Sequence, residues 1–577
     1  MKKSLALLLW MSFTTAGFSQ TKWINPTDAG FAVIQNQGFA NETNSLYTRI
    51  PERIKTEVSG GVWGNGQHSA GLSIHFLSNA PEIQIRYQVK GNLAMPHMPA
   101  TGVSGIDMYR IGTGGETDRC VGRYSFKDTI VYAYPNQFAA TYHKKGFEYH
   151  IYLPMYNQVK WMEIGVPTDS YFRFIPKSQE RPIVVYGTSI AHGACASRPG
   201  MAWTNIVQRN LECPLINLGF SGWGKLETGV LDFMNEQDAQ LYILDCMPNL
   251  PLETDAVIYQ KVIDAVKQIR SKHTTPILFI EHAGYSNQFT DTTRKEEYDH
   301  ANRTQAKAFQ DMKAQGVKDI YYISREELNL SPDAWVDHVH PSDLGMQRQA
   351  DVVTQKIRQI LHLHVGQLTT QQPVSQRRQP GSYEWKLRHD TRLDTLRASR
   401  PEAVILGNSI THYWGGTPTN ERMNGPKTWN KVMAPAGFIN LGYGWDYIEN
   451  VLWRVYHGEL DGYEAKKVVL MIGTNNLGMD TDEEIVEGIR FLMKEIRYRQ
   501  PKASIKLMGI FPRRNQEKRI EELNGLLKAM TEQEGYGYAD ISSYLLLKNG
   551  KIDESLFLDG LHPNEKGYKK IAKTIAE

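Results

Sequence analysis

One constellation of residues is written twice in this chain, and it limits the possible folds more than any other feature. An apolar run enters a turn at Val184-Val185-Tyr186-Gly187-Thr188-Ser189-Ile190, and far downstream stands Asp337-His338-Val339-His340-Pro341. The arrangement returns as Val404-Ile405-Leu406-Gly407-Asn408-Ser409-Ile410 and Asp559-Gly560-Leu561-His562-Pro563. Serine and histidine lie 151 residues apart in the first copy and 153 in the second. A short apolar strand ending in a Gly-x-Ser turn belongs at the carboxyl edge of a parallel sheet. A matched spacing, used twice, predicts two similar α/β units.

The rest of the chain can be divided around these copies. Residues 1–19 read as a signal peptide: Lys2-Lys3, an apolar stretch Leu5 to Met11, and the small residues Gly17 and Ser19 before a cleavage point. The apolar stretch is too short to span a bilayer. From 20 to 178, apolar and polar residues alternate, as in Ile83-Gln84-Ile85-Arg86-Tyr87, between glycine-rich turns such as Gly60-Gly61 and Gly64-Asn65-Gly66. This predicts an all-β unit, a sandwich or jelly roll. From 179 to 363 apolar strands (Ile183 to Tyr186, Leu215 to Leu218, Leu241 to Leu244, Ile277 to Ile280, Ile320 to Ile323) alternate with helical stretches. Residues 364–382 are polar and read as a linker, and the basic stretch Gln376 to Arg400 as linker or solvated helix face. The α/β pattern restarts and fills 383–577.

The motifs carry a chemistry. A serine hydroxyl becomes a good nucleophile only when a base takes its proton and a third group orients that base. An aspartate three residues before a histidine on a turn can reach the imidazole's far nitrogen and set its tautomer. Alone, each serine fits a helix N-cap and each Asp-x-x-His-Pro fits a helix-entry turn. Their pairing and repetition point to serine nucleophiles Ser189 and Ser409, bases His340 and His562, and orienting carboxylates Asp337 and Asp559. Candidate oxyanion donors stand at strand ends between them. They are Asn217-Leu218-Gly219-Phe220-Ser221-Gly222 and Asp245-Cys246-Met247-Pro248-Asn249 in the first copy. In the second they are Asn440-Leu441-Gly442-Tyr443-Gly444-Trp445 and Gly473-Thr474-Asn475-Asn476. His338 beside His340 suggests a metal, but no further ligand cluster is legible in the sequence, so no metal or cofactor is expected.

These four blocks, in this order, resemble the SGNH, or GDSL-type, hydrolase family over roughly 181–362 and 383–577. The resemblance implies a flavodoxin-like α/β/α fold and a metal-free Ser-His-Asp mechanism. It also implies an oxyanion hole from the serine N–H, the Gly222 N–H and the Asn249 amide, with Trp445 and Asn475 at the matching positions of the second copy. The chain departs from the family pattern with Gly-Thr-Ser and Gly-Asn-Ser for Gly-Asp-Ser. It departs again with an unusual context for Asn249 and with Trp445 where a glycine is usual. Gly473-Thr474-Asn475-Asn476 and Val451-Leu452-Trp453-Arg454 make the second copy similar to the platelet-activating-factor acetylhydrolase branch. Gly105-Ile106-Asp107-Met108-Tyr109 resembles the Gly-x-Asp-Leu-Tyr motif of an N-terminal domain that precedes one SGNH subgroup.

Composition closes off other classes. A net charge of +3 over 577 residues gives no footprint for nucleic acid. The four cysteines match no zinc spacing and read as buried thiols, with Cys195–Cys213 the pair to check. The expected protein is exported, periplasmic or extracellular, without a membrane span. It is expected to release O-acetyl or other short acyl groups from carbohydrates such as sialate or plant-polysaccharide esters. Trp203, Trp223, Trp414 and Trp445 are candidates for sugar stacking. The alternatives are a lipase, lysophospholipase or thioesterase of the same family, or one catalytic domain beside a glycan-binding pseudoenzyme.

Overall fold

The computed structural model describes residues 20–40, 42, 45–135, 145–378, 383–417 and 422–577. The signal segment read at 1–19, and residues 379–382 of the expected linker, lie outside the described residues.

The N-terminal unit consists of two antiparallel sheets. One orders its strands Thr21–Ile24, Val159–Pro167, Ile83–Val89, Ile130–Tyr134 and Arg123–Ser125. The other orders Phe172–Phe174, Ser73–Ser78, Phe147–Tyr152, Asp107–Ile111 and Thr117–Cys120, with Ile34–Gln35 beside Ser73–Ser78. Period-two alternation places Ile83, Ile85, Tyr87 and Val89 inward while Gln84, Arg86 and Gln88 remain half-buried. They meet Ile74, Phe76, Met108, Tyr149 and Ile151 of the other sheet in one shared core.

The glycine-rich segment read as turns forms a helix, Gly60–Gly66, with Ser59 as its N-cap. Glycine is a poor helix former, but packing requires it here. A Cβ on Gly61 would lie 2.0 Å from the Trp223 ring, and one on Gly66 would lie 2.0 Å from Ile50.

Each α/β unit is built on a five-stranded parallel sheet. The first runs Leu215–Gly219, Ile183–Gly187, Leu241–Asp245, Ile277–Ile280, Ile320–Ile323, and the second Phe438–Gly442, Ala403–Gly407, Lys467–Met471, Ser504–Met508, Gly537–Ala539. Both have the order 2-1-3-4-5 of a doubly wound sheet, with the first strand inside. The serine strands are flush with their neighbours: Gly187 pairs with Gly219 and Asp245, and Gly407 with Gly442 and Met471. Their strands are buried on both faces because separate apolar cores cover each side. Val184 and Tyr186 face one core and Ile183 and Val185 the other. Burying each such side chain contributes on the order of 1.5–3 kcal/mol.

The basic stretch 376–400 is not a solvated face. Most of it is the helix Trp385–Ser399, in which Arg388, His389, Asp390 and Arg392 are buried. Gln376 and Ser375 before it are buried as well. Two of its polar side chains meet buried polar partners rather than water: His389 Nδ1 lies 3.0 Å from Glu459 Oε1, and Trp385 Nε1 donates to Asp446 Oδ1 at 2.7 Å, whereas the buried Arg392 guanidinium makes no hydrogen bond among the described residues. A hydropathy pattern cannot distinguish such a helix from an exposed one. The segment also ties the units together, since Arg377 pairs with Glu148 of the N-terminal unit and Lys386 with Glu180.

Candidate active sites

In both α/β units the serine turn is built the same way. Thr188 and Asn408 cap the short helices Ser189–His192 and Ser409–His412, each side chain accepting the N–H two residues on. Gly187 and Gly407 must be glycine, since a Cβ there would meet Ala191 Cβ at 2.5 Å and Thr411 Oγ1 at 2.1 Å. This geometry leaves each serine at the sheet's carboxyl edge.

The Asp-x-x-His-Pro loops close against these turns. A bridge joins Trp335 to Pro341 in one copy and Phe557 to Pro563 in the other. Asp337 Oδ1 accepts the N–H groups of Val339 and His340, both at 2.8 Å, and Asp559 Oδ1 those of Leu561 and His562 at 3.1 and 2.8 Å. The second oxygen then receives the imidazole: Asp337 Oδ2 to His340 Nδ1 is 2.8 Å, and Asp559 Oδ2 to His562 Nδ1 is 2.8 Å. A carboxylate only accepts, so Nδ1 carries the proton and Nε2 is free to accept. His340 Nε2 lies 3.0 Å from Ser189 Oγ, and His562 Nε2 lies 2.9 Å from Ser409 Oγ. All six residues named from the sequence are thus brought together, in two relays with hydrogen-bonded contacts throughout.

Electrostatics favours the charge states such a relay needs. Burial alone would raise the Asp559 carboxyl, but the His562 backbone and side-chain hydrogen bonds outweigh it and hold the pKa at about 2. Asp337 is lowered in the same way, with burial opposed by its bonds to His340 and Val339. Burial lowers the His562 imidazole below its ordinary value, and Asp559 only partly opposes this.

The expected oxyanion donors flank each turn. Phe220 N donates to Gly187 O at 2.9 Å and Tyr443 N to Gly407 O at 3.0 Å, so both donor loops are pinned to the serine strand. Gly222 and Trp445 are both left-handed, with φ of 75° and 65°. Trp445 therefore keeps a glycine-like backbone at a steric cost of roughly 1–3 kcal/mol. Asn249 Oδ1 accepts Gly224 N at 3.0 Å, and Asn475 Nδ2 donates to Asp446 O at 2.9 Å, which fixes both amides to the donor loops. His338 lies outside the relay, exposed and against Tyr285. Of the four tryptophans, Trp203 and Trp414 are core residues with no exposed surface and cannot stack on a sugar. Trp223 and Trp445 are 43% and 45% exposed, at the donor loops.

Several contacts at these sites were not signalled by any motif. Arg49 of the N-terminal unit is buried under the first donor loop and donates to Gly219 O at 2.8 Å while lying over the Phe220 ring. In the second unit Arg388 donates to Gly442 O at 3.0 Å and lies over the Tyr443 ring. The same carbonyl and the same ring position are thus held by arginines from unrelated segments. Asn65 binds both backbone groups of Ser221. Gln376 and Tyr383 both donate to Gly444 O. The His97 ring stacks 5.7 Å from His340. Asp107 and Tyr109 of the Gly-x-Asp-x-Tyr motif bind Arg198, and Asp107 also accepts Gly200 N at 3.2 Å, so the motif clamps the segment that follows the first serine helix. The cysteines are all free, Cys195–Cys213 included, and Cys120 is half-buried rather than buried. No helix among the described residues is long and apolar enough to cross a membrane.

Comparison with known proteins agrees with this geometry. A GDSL-like lipase/acylhydrolase family description matches residues 180–358, a second of the same name matches 405–570, and an N-terminal domain described as preceding SGNH-hydrolase-type esterases matches 21–172. The chain belongs to the GDSL-like, or SGNH, hydrolase family twice over, behind a GxDLY-type domain, and is a carboxylic ester hydrolase. It is 28% identical over 202 residues to platelet-activating factor acetylhydrolase IB subunit alpha2 of Rattus norvegicus, covering 34% of this chain and 84% of that one. It is 27% identical over 202 residues to subunit alpha1 of Bos taurus, covering 34% and 82%. Among solved structures, a putative GDSL-like lipase from Bacteroides ovatus superposes with a TM-score of 0.54 at 28% identity, over 59% of this chain and 98% of that one.

Proposed function

We propose that this protein is a two-site serine esterase that removes acetyl or similarly short acyl groups from carbohydrates. Ser189 and Ser409 are its nucleophiles, His340 and His562 its general bases, and Asp337 and Asp559 their orienting carboxylates. The observation that carries the proposal is the duplicated Ser–His–Asp relay, with every contact between 2.8 and 3.0 Å.

In each site the histidine takes the serine proton as Oγ attacks the ester carbonyl. The backbone N–H groups of the serine and of Gly222 or Trp445, with the Asn249 or Asn475 amide, stabilise the oxyanion. The histidine then protonates the leaving alcohol, and water releases the acid by the same path in reverse. The exposed rings of Trp223 and Trp445 at the donor loops fit a sugar face. An exported location, supported by the N-terminal sequence, suits a polymeric or glycan substrate. The N-terminal two-sheet unit, residues 20–178, is read as a β-sandwich that completes the first site, 179–363 and 383–577 as the hydrolase domains, and 364–382 as the strap between them.

A phospholipid acetyl ester is the second reading, favoured by the names of the acetylhydrolase relatives. The test is acetate release from acetylated glycans and from acetyl and long-chain esters. Wild type is compared with Ser189→Ala, Ser409→Ala and the double variant. Loss of different substrates in the two single variants, and of all turnover in the double variant, fits two working sites. Full activity in the double variant overturns the proposal, preference for long acyl chains favours a lipase, and one silent single variant demotes that module to binding or support.

A further inference from the structure

The first site carries a group of side chains that the relay does not use. His97 comes from the N-terminal unit and Cys195 from the turn after the serine helix. Together with Asp337 and His340 they place one nitrogen, sulfur or oxygen ligand atom each within 4.8 Å of one another. Tetrahedral zinc, with bonds of about 2.0–2.3 Å, needs ligand atoms roughly 3.3–3.7 Å apart. Closure by at most about 1 Å brings such atoms to that spacing, and the exposed His97 ring is the freest of the four to move. The donor set of two imidazoles, a thiol and a carboxylate suits zinc or cobalt and no harder cation. Cys195 is also one of the few non-glycine residues with a left-handed backbone (φ 66°), and its Sγ lies 3.5 Å from His97 O. Cys195 and the His97 loop are therefore already in contact.

We propose that His97, Cys195, Asp337 and His340 form a reversible zinc site that shuts the first active site and leaves the second open. Binding transfers the Cys195 thiol proton to solvent; at His340 the metal takes either the Nε2 lone pair, displacing the Ser189 hydroxyl, or Nδ1, whose proton then shifts to Nε2. Whether His340 or Asp337 makes the shorter bond, the relay loses either its proton acceptor or its orienting group. The second site is not built for this. Gly415 stands six residues after Ser409 where Cys195 stands six after Ser189. At the second site the Arg422 guanidinium already lies 3.3 Å from Asp559 Oδ2. A cation there repels a second one. Another cluster, His75, Glu148 and His150, is a weaker candidate for the same reason, since Arg377 occupies Glu148.

The inhibitory half of this inference rests on the serine-esterase reading, while metal binding does not, and the experiment separates them. Chelator-stripped full-length protein is titrated with zinc chloride while hydrolysis of a chromogenic acetyl ester is followed. Ser409→Ala isolates the first site and Ser189→Ala the second. The expected result is a loss of about tenfold or more at the first site, reversed by EDTA, with the second site within about twofold of its metal-free rate. In parallel, cobalt chloride is added to wild type, Cys195→Ser and His97→Ala. A thiolate-to-cobalt band in the near ultraviolet is expected in wild type, absent in Cys195→Ser and weakened in His97→Ala. His97 is exposed, so that variant remains informative if the buried Cys195→Ser does not fold. Absence of the band, its persistence in Cys195→Ser, or equal zinc sensitivity of both sites overturns the proposal. If neither site hydrolyses any ester but the band forms, the esterase reading has failed and the metal site stands.

Discussion

Removing the Arg49 side chain tests how the N-terminal unit supports the first site. The guanidinium makes four bonds to carbonyl oxygens: His68 at 3.0 Å, Asn217 at 3.0 Å, Gly219 at 2.8 Å and Asn65 at 2.6 Å. Each charge-assisted bond is worth on the order of 1.5–3 kcal/mol before costs. Burial of the cation opposes this, as its pKa of about 9 shows. Arg49→Ala removes that cost but strands four carbonyls, and the balance is a loss of about 3–5 kcal/mol. At about 2–4 °C per kcal/mol for a unit of this size, the first melting transition should fall by roughly 6–20 °C. The assays are calorimetry and kcat at the first site in a Ser409→Ala background. The rate should drop about 10–100-fold, because Gly219 leads directly into the loop that ends in Gly222. Arg49→Lys should not rescue, since one ammonium cannot span the carbonyls that the planar fork reaches. A transition within about 2 °C of wild type and a rate within about twofold would refute the reasoning.

Four further outcomes follow from the same geometry. Trp445→Gly should relieve the left-handed strain and raise the stability of the second hydrolase unit by about 1 kcal/mol, while raising KM for a glycan substrate at that site; destabilisation would show that the indole is a packing residue. With neutral His562 as the proposed base and burial lowering its pKa below 6.5, the acid limb of kcat/KM at the second site, measured in Ser189→Ala, should lie below pH 6.5. Asp559, with a folded pKa of about 2 against an ordinary 3.8, favours folding above that range and loses this contribution as pH falls through about 2. Asp107→Asn should weaken the clamp on Arg198 and Gly200 and slow the first site while sparing the second; equal rates at the first site would confine the motif to the fold of its own unit.

The parts of this molecule legible in its sequence are those with strict local rules. Short buried strands such as Ile183–Gly187 and Ala403–Gly407 betray themselves by continuous apolar runs, and the relay residues by fixed spacing on a turn. The edge strand Gly537–Ala539 escapes because it is three residues long and half-exposed. The helix Trp385–Ser399 escapes for another reason. Its buried face mixes Arg388, His389, Asp390 and Arg392 with Trp385, Leu393 and Leu396, so no clean apolar stripe marks it, and partners such as Glu459, Gly442 and Asp446 are distant in sequence. His97 and Cys195 lie 98 residues apart, and no spacing rule connects either to Asp337. Tertiary structure alone makes them neighbours. The tryptophans divide on the same ground, because composition cannot tell the buried Trp203 from the exposed Trp223.

The paired arginines change how this chain can be taken apart. Arg49 lies 170 residues ahead of the carbonyl it holds, and Arg388 lies 54 ahead. Both fall outside the stretches, 180–358 and 405–570, over which the hydrolase family is recognised. A fragment cut at those borders would keep every proposed catalytic group and lose the arginine beneath the proposed oxyanion loop. The structural unit is therefore longer than the hydrolase match: in each copy a segment upstream of it supplies the arginine beneath the loop.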